Sequence, residues 1–102
     1  MSLADFTESL KNQSPGKELD PILQSLWYAG KGDWNTAHDI AQEIHTTDGS
    51  WVHAYLHRLE GDVGNAAYWY QKAKRPLPTI SVEKEWEEVV LFFLEKTGTI
   101  ST

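Results

Sequence analysis

The sequence predicts an all-α fold, and three observations predict it. Gly32-Asp33-Trp34-Asn35-Thr36-Ala37 returns 29 positions later as Gly61-Asp62-Val63-Gly64-Asn65-Ala66, and a fixed period of that length marks stacked helical hairpins. Apolar residues recur at spacings of three and four, the period of one helix face. Capping residues and helix-stopping glycines or prolines bound those stretches.

The elements follow in order. Ser2 caps a short first helix over 3–11, with Leu3, Phe6 and Leu10 on one stripe. Ser14-Pro15-Gly16 places a loop over 12–17. Asp20 caps the second helix, and Pro21 takes its first position, where a missing N–H costs nothing. Ile22, Leu23, Leu26 and Trp27 form its apolar face, and Gly30 and Gly32 end it. Asp33 caps a third helix over 34–45 with the stripe Trp34, Ala37, Ala41 and Ile44. Asp48-Gly49 puts a turn at 46–50. The fourth helix spans 51–60 with Trp51, Val52, Tyr55, Leu56 and Leu59 at helical spacing, and Gly61 stops it. Asp62 caps a fifth helix over 63–74, with Ala66, Ala67, Tyr70 and Ala73 inward and Pro76 and Pro78 beyond its end. Ser81 caps a sixth, which carries Val82, Trp86, Val89, Val90, Phe93 and Leu94 and ends at Gly98.

A chain of 102 residues suits one domain over 1–102, which buries roughly 65% of the surface its unfolded form exposes. The heavy aromatic content, 5 Trp, 4 Tyr and 3 Phe, supplies large units for a small core. The net charge of −6 argues against nucleic acid as a partner, because phosphate tracking needs a basic stripe. Lys72, Lys74 and Arg75 come nearest to one, and cations there also suit a helix C-terminus. With no Cys, disulfides and thiolate metal sites are excluded. The longest apolar run, Val89 to Leu94, falls far short of the ~20 residues of a membrane span. The first residues show no secretory pattern, so the expectation is a cytoplasmic protein with no membrane partner.

Between 19 and 78 the residues resemble tetratricopeptide repeats. Ala54, Gly61, Ala66, Tyr70, Ala73 and Pro78 match the family's small, turn-glycine, aromatic and proline positions, and Ser25, Tyr28, Gly32, Trp34 and Ala37 stand in the corresponding places of the first copy. The resemblance implies two hairpins, over 19–46 and 50–76, followed by a C-terminal capping helix over 81–97. The repeat is shorter than the family's, and His53 and His57 replace its usual Leu and aromatic. In the family part of this face lines a concave peptide-binding surface; here it is strongly apolar, and two repeats need a cap. The sixth helix or a homodimer supplies one. The stretch WVHAYLHRLEGD followed by NAAYWYQKA also resembles small uncharacterised bacterial proteins.

His53, His57 and Glu60 share one helical face at i, i+4, i+7, a spacing that suits a divalent metal, with His38 or His45 as a further ligand. The competing reading makes these histidines hydrogen-bonded parts of the core edge. Trp51, Tyr55, Tyr68 and Trp69 form an aromatic set suited to partner binding, unless a terminal helix covers it. Arg58 is read as pairing with Glu60 or Asp62, Asn65 as bonding back to Asp62 or the turn backbone, and Glu83, Glu85, Glu87 and Glu88 as a solvated face. No nucleophile motif or phosphate loop is present. The reading that follows is a non-catalytic protein-interaction module without a cofactor. It binds a protein or peptide through Trp51, Tyr55, Tyr68 and Trp69. The alternative is a small metal-binding protein or metal-dependent enzyme using His53, His57 and Glu60.

Overall fold

Each helix begins at a side chain that accepts a bond from its own first turn. In the computed structural model, which describes residues 1–97, the regular elements are all helical. The backbone N–H groups of Asp5, Leu23, Thr36, Gly49, Asn65 and Lys84 donate to Ser2, Asp20, Asp33, Thr46, Asp62 and Ser81 at 3.0–3.2 Å. These bonds satisfy donors that a helix start leaves without partners. They set α1 (Leu3–Glu8, continued by a 3-10 turn at Ser9–Lys11), α2 (Pro21–Gly30), α3 (Trp34–Gln42), α4 (Thr47–Leu59), α5 (Val63–Lys72) and α6 (Val82–Lys96). The stop expected at Gly98 lies outside the described residues.

Two boundaries differ most from the sequence expectation, while the fourth and fifth helices end one and two residues early, at Leu59 and Lys72. The third helix stops at Gln42 rather than at 45, and the fourth begins at Thr47 rather than Trp51. The expected turn at 46–50 is therefore mostly helix. Thr46 provides the cap, Asp48 complements the positive end of the helix, and Gly49 serves a close approach. A Cβ at Gly49 would meet the Ile44 carbonyl oxygen at 2.2 Å, so the chain there tolerates no side chain.

The glycine–aspartate corners share one geometry. Gly32 and Gly61 take φ of 84° and 91°, and the N–H groups of Asp33 and Asp62 donate to the carbonyls of Tyr28 and His57, each at 2.9 Å. This is the Schellman closure, which favours glycine at the left-handed position.

α2 packs on α3, α4 on α5, and α3 on α4, while α6 lies across α2 and α4 and reaches α1. The small residues Ala37, Ala41 and Ala66 are buried where α3 and α5 approach their neighbours. Leu23, Leu26, Trp27, Val52, Leu56, Val89, Val90, Phe93 and Leu94 fill the core, and Phe6 closes it from α1. Leu59, expected on the inner stripe, is exposed as the last residue of α4; Ala67 is half-buried. Tryptophan N–H groups tie elements together at carbonyls and a hydroxyl: Trp34 to Leu56 (2.6 Å), Trp86 to Leu26 (2.9 Å) and Trp27 to Ser9 Oγ (3.1 Å). Among the described residues no helix is long and apolar enough to cross a membrane.

Candidate functional site

The second half of α4 and the middle of α3 bring three imidazoles together. His38 Nε2 lies 3.0 Å from His53 Nε2, and His57 completes a set whose ligand nitrogens all fall within 4.8 Å of one another. The i, i+4 spacing of His53 and His57 stacks their rings on one α4 face, with centroids 4.8 Å apart. His38 arrives from α3, held in register by the neighbouring Asp33 corner.

Flanking groups fix the rings. Trp69 stacks on His53 with centroids 4.0 Å apart, and Trp34 stacks on His38 at 4.7 Å. Glu60 Oε2 accepts from His57 Nδ1 at 2.6 Å, which leaves Nε2 as the ring nitrogen turned away from the carboxylate. The Asn65 side-chain amide stands 3.4 Å from that Nε2. Burial, reinforced by the neighbouring His38 and His57, lowers the His53 pKa to about 4. Burial, then His57, lowers that of His38, against a partial opposing effect of Asp39 and Glu60. Both rings are neutral at neutral pH, the state in which imidazole accepts a proton or a metal.

The expected ligand set is therefore rearranged. Glu60 sits on the Nδ1 side of His57 and shares no ligand cluster with His53, whereas His38 does. A second grouping, His57 with Glu60 and Asp62, uses exposed acids already engaged, Glu60 with the ring and Asp62 with the α5 cap. His45 is exposed and lies outside both groupings.

The four aromatics named for partner binding separate. Trp51 is 6% exposed and Tyr55 3%, because α6 covers that face: Trp51 packs edge-on against Phe92 and tilted against Phe93. On its remaining side the Arg75 guanidinium lies 3.4 Å from the ring centroid. Neither ring is available to a partner while α6 is docked. Tyr68 is 48% exposed and Trp69 half-buried. They lie on α5, where Trp69 forms one wall of an open groove of about 560 Å³ between the end of α3, the start of α4 and α5.

Glu85 overturns the solvated-face reading at its position. It is 2% exposed and accepts from Arg58 (2.8 Å), from the Tyr70 hydroxyl (2.8 and 2.6 Å) and from Trp51 Nε1 (3.4 Å). Arg58, expected beside Glu60 or Asp62, turns instead to this buried carboxylate and to the Ile80 carbonyl. The Asn65 backbone N–H bonds to Asp62, while its side-chain amide faces His57 Nε2 instead. Glu85 could have been found from spacing, since it lies three residues after Val82 and four before Val89, on the apolar stripe. No buried polar side-chain atom of this clasp lacks a hydrogen-bond partner, which suits a structural part. Compared with known proteins, the chain matches no protein-family model, no curated protein and no solved structure, and its site is read from its own geometry.

Proposed function

We propose that the chain is a non-catalytic interaction module that holds a short peptide segment of another protein, with the bacterial cytoplasm as its compartment. The carrying observation is the groove beside α5. Ile44 and Trp69 give it apolar surface, Thr47 and Ser50 give hydrogen-bonding hydroxyls, and Lys72 gives a positive charge. A concave site with an aromatic wall and a few polar groups is the usual form of a specific binding surface. Tyr68 extends the aromatic surface beyond the groove, with the Lys72 ammonium 5.4 Å from its ring centroid. The resemblance of the two helix pairs to tetratricopeptide hairpins supports the reading, since peptide capture is common in such arrays. The Trp51–Tyr55 face is left out of the proposed surface.

Display of random peptides on the purified full chain, followed by titration of Trp fluorescence, tests this. Selected peptides should bind, with Trp69→Ala weakening them by at least tenfold and Tyr68→Ala by less. Selection of no peptide, or peptides indifferent to Trp69→Ala, would reject the groove as the site.

A further inference from the structure

We propose that His38, His53 and His57 form a binding site for one divalent transition-metal ion of the zinc type, with Glu60 as a positioning residue. The inference does not depend on peptide binding in the groove. Three features carry it. The first is convergence: imidazoles from two helices place ligand nitrogens within 4.8 Å of one another, with His38 and His53 at 3.0 Å. A tetrahedral ion with bonds of about 2.0–2.1 Å needs its ligand nitrogens about 3.3 Å apart, so small ring rotations complete the set.

The second feature is Glu60. A carboxylate on the far nitrogen of a metal-bound imidazole fixes its tautomer and raises its basicity. Glu60 stands in that relation to His57, at 2.6 Å from Nδ1. The third is rigidity. Trp69 and Trp34 stack on two of the three rings, and Trp34 is itself anchored to the Leu56 carbonyl. Rings held this way lose little freedom when they bind an ion, which favours affinity. Imidazole nitrogen donors without thiolates suit Zn²⁺, Ni²⁺ or Cu²⁺ over Mg²⁺ or Ca²⁺. The Asn65 amide borders the remaining side, where it can hold a bound water.

The test uses the full chain, stripped with a chelator and titrated with Zn²⁺ alone, then with Co²⁺ as a spectroscopic stand-in. One equivalent should bind in the micromolar range or tighter, raise Tm by several degrees, and give a Co²⁺ visible spectrum of four-coordinate intensity. His38→Gln and His53→Gln should each weaken Zn²⁺ at least 100-fold. Glu60→Gln should weaken it ~10–100-fold with one equivalent retained. His45→Gln should change nothing. In the unmutated protein, nitrogen NMR shifts should move on Zn²⁺ addition at His38, His53 and His57 and stay fixed at His45, a readout that needs no folded variant. Millimolar or multi-equivalent binding, affinity indifferent to His38→Gln and His53→Gln, or shifts confined to His45 would overturn the site.

Discussion

Tyr70 gives its hydroxyl to both oxygens of Glu85, and that pairing sets how the protein responds to alkali. Burial first, then the hydrogen bond to Glu85 and the charge of that group, push the Tyr70 pKa far above its ordinary value of 10.0. The unfolded chain ionises this tyrosine above pH 10 while the folded chain does not, so the stabilisation is full below pH 10 and drains away as pH rises. Tyr70→Phe removes the hydroxyl and leaves Glu85 with Arg58 and Trp51, at a cost of ~1–3 kcal/mol near pH 7. Above pH 10 the gap between the two proteins should narrow by about 1.4 kcal/mol per pH unit. Tyr55 titrates in both, so the difference isolates Tyr70. Urea unfolding at pH 7, 10 and 11 checks it, and a gap that stays constant would remove the account. At this scale the sequence is readable in part. The spacing of Val82, Glu85 and Val89 places the carboxylate inside, and three neighbouring glutamates mask it. His38 carries no such local mark, because it meets His53 from 15 positions away, through the packing of α3 on α4.

The helix corners show how the repeated phrase becomes geometry. At Gly32 and Gly61 nothing lies within 4 Å of where a Cβ would stand, so substitution there is opposed by the backbone alone. With φ of 84° and 91°, Gly32→Ala and Gly61→Ala should each cost ~1–2 kcal/mol. The end of α5 repeats the closure with a different residue. Arg75 N–H donates to the Tyr70 carbonyl at 3.0 Å, and Lys74 occupies the left-handed position with φ of 58°. Lys74→Gly should therefore stabilise the protein, by ~0.5–1 kcal/mol after the entropy glycine adds to the unfolded chain is subtracted. Chemical unfolding of the three variants reads the two signs directly, and a destabilising Lys74→Gly would show that the Lys74 stem contributes packing instead. Caps and glycine corners were legible because their chemistry is local, each bond reaching five residues or fewer. The start of α4 was not. Asp48-Gly49 has the composition of a turn, and only the folded path of the chain, which brings the Ile44 backbone against it, shows that this glycine serves a close approach inside a helix start.

At the scale of the whole molecule, α6 decides whether the helix pairs form a closed body. Its Val89, Val90, Phe93 and Leu94 are almost wholly buried against α2 and α4, and its Glu85 holds Arg58 and Tyr70. The exposed Lys96–Asp48 pair, at 2.5 Å, adds little, since surface ion pairs contribute ~0–1 kcal/mol. Each large apolar side chain removed from such a core costs ~2–5 kcal/mol, so losing four of them is comparable to a total stability of ~5–15 kcal/mol. Two helix pairs without α6 would uncover Trp51 and the α2 and α4 surfaces that α6 packs on, a face that demands a cover from elsewhere. The intact chain should sediment as a monomer near 11.6 kDa. A chain ending at Ile80 should lose cooperative thermal unfolding or associate through that face. Val89→Asp in the full-length chain separates lost length from lost packing and should act in the same direction. A shortened chain that melts cooperatively as a monomer would show that α2 to α5 close on themselves, and α6 would then be an addition to the fold and not its lid.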